Sequence, residues 1–232
     1  MTEHVREIAF DTETTGLEWD KDDRIIELGA VELVNHIPTG TTFQTYINPG
    51  RPVSEATIRI TGITDDMLVG SPPFEHPSIV DAFLDFIGDS TLVAHNAAFD
   101  RGFLNMELQR CGRTIIPDVR WVDTLSMARK KYPGAPASLD ALCNRFEVNA
   151  EARTYHGALL DSLLLAEVYL ELLGGRARAF DFGEASASSL GERAPARQRP
   201  TPLSSPISEA ERATHEAFLQ ALGKGRLWDN YD

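Results

Sequence analysis

The chain has 232 residues of which 42 % are hydrophobic, enough to bury one good core in one or two domains. Cys111 and Cys143 are its two cysteines, which excludes a disulfide-built scaffold and fits a reducing, cytoplasmic setting; the polar N-terminal stretch around Glu3 and Glu7 does not suit a signal peptide, and no apolar run is long enough to span a membrane. The formal net charge of −13 is unevenly placed: residues 1–174 hold 14 Lys and Arg against 27 Asp and Glu, while the remainder is balanced. This excludes a protein that holds anionic polymers by broad charge neutralisation over its main domain.

The apolar pattern predicts an α/β domain. Val5 to Asp11 reads as a buried strand, Ile25 to Val34 as a second, and Thr42 to Ile47 as a third, which follows a turn at Pro38-Thr39-Gly40. Helical patterning then runs to Thr91–His95, a fourth strand. Phe99 to Cys111 is a helix, Arg120 to Val122 a short fifth strand, and Asp123 to Lys131, Ser138 to Phe146 and Ala158 to Leu173 are further helices. Three antiparallel strands followed by strands joined through helices predict a mixed sheet flanked by helices.

After Gly174-Gly175 the composition changes. Residues 176–207 are rich in Ala, Ser, Arg and Pro and read as a flexible linker between a domain at 1–175 and a partner-binding segment at 208–232. In that last segment Ser208 and Glu211 form a capping box, and apolar residues from Ala210 to Leu222 recur near helical spacing. A helix of about 15 residues is marginal alone, so it would order on a partner.

Three short motifs concentrate the chemistry. In FDTETTG (Phe10 to Gly16), Asp11 and Glu13 sit two apart on a strand, so both carboxylates leave from one face as like charges and ask for a cation between them. A blander reading is a pair of exposed acids on a loop, although the apolar Ile8-Ala9-Phe10 lead-in argues for a buried strand. In HNAAFD (His95 to Asp100), Asn96 suits a helix cap and Asp100 the positive end of that helix, a reading as good as a functional one for this segment alone. In HGALLD (His156 to Asp161), His156 stands at the entrance of an apolar helix and Asp161 one turn inside; five residues apart, they do not share a helix face. A single histidine there is more often structural, but the combination of Asp11, Glu13, Asp100, Asp161 and His156 suits two divalent cations and an activated water.

These motifs resemble those of the DEDD exonucleases in their histidine branch, where a histidine precedes the last aspartate by five; the tyrosine branch places Tyr four before it, and position 157 is Gly. The segments VDTLSMARKKYPG (Val122 to Gly134), SLDALCNRFEV (Ser138 to Val148) and AEVYLELLGG (Ala166 to Gly175) extend the resemblance to the epsilon proofreading subunits of bacterial DNA polymerase III, over residues 5–175. The resemblance implies a ribonuclease H-like five-stranded mixed sheet and a 3′–5′ exonuclease. Asp11, Glu13, Asp100 and Asp161 would ligate two Mg2+ or Mn2+ ions, hard cations that take oxygen ligands, and His156 would be the general base. Thr14, Leu17, Asn96 and Phe99 match positions that meet the terminal nucleotide, alongside Asp11, Glu13, His156 and Asp161. Where relatives often carry a histidine, in ITGIT, this chain has Thr61.

The implied substrate is the single-stranded 3′ end of DNA, and the implied partner is the polymerase catalytic (alpha) subunit, reached through the C-terminal tail with Leu227, Trp228 and Tyr231 as anchors. Weak intrinsic DNA affinity of an acidic domain suits a subunit to which a polymerase delivers the primer end. A small accessory subunit and the sliding clamp are further candidate partners. The clamp peptide of relatives begins with Gln, whereas this chain reads RARAFDF, leaving Phe180 and Phe182 to fill a pocket. Two other readings compete: a stand-alone histidine-branch exonuclease acting on RNA ends or repair intermediates, and a non-catalytic assembly module, against which the intact acidic set speaks.

Overall fold

The computed structural model describes residues 4–150, 155–175 and 208–221. The chain divides into two units, residues 1–182 and 183–232. In the first unit five strands form one mixed sheet: β1 (Arg6–Thr14), β2 (Ile25–Val34), β3 (Ile37–Tyr46), β4 (Thr91–Ala94) and β5 (Trp121–Asp123), in the spatial order β3-β2-β1-β4-β5. β1 pairs antiparallel with β2 and parallel with β4; β2–β3 is antiparallel and β4–β5 parallel. The helices of this unit are α1 (Glu55–Thr61), α2 (Asp65–Leu68), α3 (Pro77–Ile87), α4 (Ala97–Arg110), α5 (Thr124–Lys131), α6 (Leu139–Phe146) and α7 (Ala158–Leu172).

Alternation along β1 divides the core in two. Ile8 and Phe10 face α3 and α4, where Phe83, Phe103, Leu104 and Leu108 are buried with them. Ala9 faces the other way with Val31, Leu33 and Val93, and is covered by Leu164, Leu165, Val168 and Leu172 of α7 and Leu142 of α6. Asp11 and Glu13 continue the Ala9 row and therefore emerge on the α7 side, as their two-residue spacing predicts.

Two expectations need correction. The hairpin turn lies at Asn35-His36, not at Pro38-Thr39-Gly40: both residues have positive φ, 53° and 68°, and Val34 pairs with Ile37. Two consecutive left-handed residues make the turn whose twist matches the strands. β3 thus begins at Ile37 and tolerates Pro38 because it is an edge strand with a register shift between Val31 and Leu33 on its partner. β1 also runs to Thr14, beyond the expected Asp11, because Asp11, Thr12 and Glu13 keep pairing with Gly29, Leu28 and Glu27 after β4 has turned away.

In the second unit α8 (Glu209–Ala221) begins at the expected capping box: the Ser208 hydroxyl accepts from the Glu211 N–H, and the Glu211 carboxylate accepts from the Ser208 N–H at 2.8 Å. None of its side chains is buried, Phe218 being 59 % exposed. The linker 176–207 and the residues Phe180, Phe182, Leu227, Trp228 and Tyr231 lie outside the described residues. Among the described residues no helix is long and apolar enough to cross a membrane.

Candidate active site

The site forms where β1 outruns β4. Parallel pairing of the two strands stops at Ala9–Val93, and the chain leaving β4 turns through His95 and Asn96 into α4. That brings Asp100 back over β1 from the α4 side, where its Oδ1 accepts from the Thr12 N–H at 3.0 Å and from the Thr12 hydroxyl at 2.8 Å. Asp100 is buried, and burial pushes its pKa up to about 7 against the hydrogen bonds from Thr12 that favour the anion, with the negative charge of Asp123 adding to the rise.

Asn96 occupies the N-cap position of α4 in the left-handed region, but its side chain makes no capping bond. The expected cap comes from Asp123 at the end of β5 instead. Its Oδ1 accepts from the N–H groups of Asn96 at 3.0 Å, Ala97 at 3.3 Å and Leu125 at 3.1 Å, while Oδ2 accepts from the Ser126 hydroxyl. One carboxylate therefore fixes the starts of both α4 and α5. Burial works to raise the pKa of Asp123, but these bonds outweigh it and hold the carboxyl below its usual value.

On the opposite face α7 delivers Asp161. Gly157 precedes this helix and has no side chain to cap it; Glu27 on β2 accepts the Ala158 N–H at 3.0 Å, and its other oxygen takes the Gln44 side-chain amide at 2.7 Å. Glu27 is the cross-strand partner of Glu13, and Gly29 that of Asp11. The helix sits so closely on Gly29 that a Cβ there would lie 2.1 Å from the carbonyl carbon of Ala158, and the Ser162 hydroxyl donates to the Gly29 carbonyl at 2.9 Å. The missing side chain at position 29 is what lets α7 lower Asp161 onto the acidic row of β1. Burial raises the pKa of Glu27 against the two hydrogen bonds, and the charge of Asp161 raises it further.

His156 precedes α7, and its backbone N–H donates to the Ile60 carbonyl at 3.0 Å, tying the segment to the end of α1. Next to it, the Tyr155 ring lies against Gly62, the left-handed cap residue of that helix. Thr61, at the place where relatives often carry a histidine, donates its hydroxyl to the Thr57 carbonyl at 3.0 Å and so closes α1. The His156 Nδ1 is 3.2 Å from Asp161 Oδ2. One ligand atom each from Glu13, His156 and Asp161 lie within 4.8 Å of one another, a spacing that one cation can bridge. With Asp11 on the same row as Glu13, oxygen-rich donors and a single imidazole fit a hard divalent cation better than a soft one.

The remaining sequence candidates fall into two groups. Thr14 is buried, with its hydroxyl on the Gly16 carbonyl at 2.6 Å, and Phe99 is half-buried with its ring 4.9 Å from that of Phe103. Leu17 and Asn96 are exposed, Leu17 to 79 %. Sequence reasoning missed Thr12, Glu27, Gly29 and Asp123. A signal existed for two of them: a glutamate and a glycine interrupt the otherwise apolar IIELGAV strand, where neither favours strand structure.

Comparison with known proteins agrees with this geometry. The RNase_T exonuclease family profile matches residues 8–169. The DNA polymerase III subunit epsilon of Rickettsia conorii is 49 % identical over 186 residues, covering 79 % of this chain and 80 % of the relative. That of Pasteurella multocida is 43 % identical over 190 residues, covering 79 % and 74 %. Among solved structures, exonuclease X in complex with 5′ overhanging duplex DNA aligns with a TM-score of 0.55 at 27 % identity, covering 73 % of this chain and 90 % of that one. The nuclease domain of 3′hExo, a DEDDh family member bound to rAMP, aligns with a TM-score of 0.62 at 22 % identity, covering 74 % and 93 %. The chain therefore belongs to the RNase_T exonuclease family and, within it, groups with the DNA polymerase III epsilon subunits as a 3′–5′ exonuclease.

Proposed function

We propose that the protein is the proofreading exonuclease of a replicative DNA polymerase, removing mispaired 3′-terminal nucleotides one at a time as 5′-monophosphates. The observation that carries this reading is the meeting of Glu13, Asp161 and His156 within 4.8 Å, with Asp11 on the same row of β1 as Glu13. Two Mg2+ or Mn2+ ions held by Asp11, Glu13, Asp100 and Asp161 would supply Lewis acidity, lowering the pKa of the attacking water and offsetting charge at the phosphodiester.

The residues of the chain do the rest. In the tautomer whose Nδ1–H donates to Asp161, that bond orients the ring and Nε2 takes the proton of the attacking water. Water then adds in line at the terminal phosphorus, and the 3′-oxygen of the preceding nucleotide leaves. Leu17 and Phe99 support the sugar and base of the departing nucleotide, with Thr14 and Asn96 beside them. The spacing also admits His156 as a third ligand of one ion. His156→Asn separates the roles: as base, its loss lowers kcat at least about 100-fold while metal affinity stays unchanged.

The polymerase alpha subunit is the proposed partner of residues 208–232, through α8 and the anchors Leu227, Trp228 and Tyr231; a chain ending at Gly175 should lose this association. A small accessory subunit and the sliding clamp complete the proposed set, and Phe180→Ala should weaken clamp affinity. Proofreading, by this reading, takes place at the replication fork. The test of the chemistry is release of 5′-monophosphates from a 3′-labelled single strand: chelation and Asp11→Ala should each abolish it, and activity that survives either one refutes the mechanism. Comparing DNA with RNA strands separates proofreading from an RNA-processing role.

A further inference from the structure

On the outward face of α4 lies a groove of about 230 Å³, lined by Trp19, Ala98, Gly102, Asn105, Met106 and Gln109. These helix positions recur at three- and four-residue spacing, while Asp100, Phe103, Leu104, Glu107 and Leu108 of the same helix are buried against the sheet. Two features of the groove are costly in isolation. A glycine inside a helix is less favourable than alanine because it has more backbone freedom to lose, and a tryptophan left 40 % exposed keeps apolar surface in water. Each explains the other: a Cβ at Gly102 would stand 2.7 Å from the Trp19 ring, so glycine is the residue that lets the indole settle on α4. The exposed part of that ring forms a wall of the groove.

The lining has no carboxylate, although residues 1–174 carry the whole negative excess of the chain. Its one charged member, Arg101, is paired with Asp118 at 3.0 Å. Such a surface, aromatic with amide and thioether neighbours and little net charge, suits the face of a planar heterocycle better than an isolated phosphate. It begins at the first turn of α4, the turn that carries Asp100 on its other, sheet-facing side. Ala98 stands two residues before Asp100, and from Ala98 to Gln109 the helix leads away over about 16 Å at 1.5 Å per residue.

We propose that this groove is a stacking site for an unpaired base of the DNA strand, 5′ of the two terminal nucleotides, with Trp19 as its platform. The proposal rests on the exonuclease reading given above. It adds a contact that holds a frayed primer end while the terminal residue sits among the carboxylates, and stacking of this kind is tolerant of sequence because every base offers a π face.

The test compares a single-stranded oligonucleotide with a dinucleotide, which is too short to reach the groove, using the full-length chain. Trp19→Ala should raise KM for the oligonucleotide about tenfold, in line with the 1–3 kcal/mol that base–aromatic stacking contributes, leave kcat unchanged, and leave dinucleotide cleavage unchanged. Trp19→Phe should recover most of the loss. Gln109→Glu, an exposed substitution that cannot disturb the core, should raise the oligonucleotide KM more at low salt. One abasic nucleotide scanned through the strand should reproduce the Trp19→Ala effect at a single position in the wild type and add nothing in the variant. Equal KM values, or an equal loss on the dinucleotide, overturn the proposal. Unchanged DNA kinetics with weakened polymerase association overturn it in favour of a protein-binding groove. Loss of activity in Asp11→Ala with indifference to Trp19→Ala refutes the groove alone, whereas activity surviving in Asp11→Ala removes the reading beneath it.

Discussion

α4 and α7 approach the same strand end from opposite faces of the sheet, and neither caps itself. Asn96 makes no side-chain cap at the start of α4, and Gly157 has none to offer α7. Each helix is held instead by an acid from a strand remote in sequence, Asp123 for α4 and Glu27 for α7. The anchors differ in setting. Asp123 is partly exposed and gathers enough N–H and O–H donors to favour its anion, whereas Glu27 is 1 % exposed and its ionised form is disfavoured by burial and by Asp161. The comparison shows that Asp100 is placed by a charge the fold welcomes, and Asp161 by one that it resists.

The α7 side should be the more fragile. Gly29→Ala drives a methyl into the Ala158 backbone, a contact that no side-chain rotation can relieve, and should destabilise the protein by about 3 kcal/mol or more, with loss of exonuclease activity. Thermal unfolding and strand degradation measure both effects; a stable, active variant would show that α7 can rise without moving Asp161. Next in size, Glu27→Ala strands the Ala158 N–H and the Gln44 amide and should cost about 1–3 kcal/mol. Glu27→Gln keeps an acceptor for Ala158 and should be close to neutral. If both variants behave alike, the carboxylate is not an anchor.

Asp123→Ala should follow, at about 1–2 kcal/mol as for the loss of a helix cap, with activity falling alongside because Asp100 shifts. The smallest effect sharpens the contrast through pH. Asp123 has a folded pKa below its ordinary 3.8, so its contribution is complete above about pH 4 and is lost as pH falls through the folded value. Glu27 has a folded pKa above its ordinary 4.5, so the folded state holds the extra proton and stability falls as pH rises from 4.5 toward the raised value. Denaturant melts in a chelator should therefore show a shallower acid-side loss in Asp123→Asn and a shallower decline above pH 4.5 in Glu27→Gln. Matching slopes for the two variants would remove the distinction.

Much of this was legible in the sequence because it is local. Apolar runs marked β1 and β2, the two-residue spacing put Asp11 and Glu13 on one face, and the Ser208–Glu211 box marked the start of α8. What was illegible depends on pairing across the chain. Nothing near Asn96 announces that its helix is capped from Asp123, and nothing near Gly157 points to Glu27, 131 residues away from the Ala158 amide it receives. The hairpin turn was misplaced for a related reason. Pro-Thr-Gly is a strong local turn signal, yet two left-handed residues at Asn35-His36 suit the twist of the flanking strands, and an edge strand accommodates the proline.

Among the described residues α7 is the final helix of the first unit, and its seat on Gly29 has a consequence for biosynthesis. A nascent chain emerging from the ribosome carries every strand of the sheet, along with Asp11, Glu13 and Asp100, before the segment bearing His156 and Asp161 has been made. By the proposed mechanism, which needs both of these residues, half-finished copies are thus harmless to any nucleic acid they meet, and cutting ability arrives together with the closing step of domain assembly.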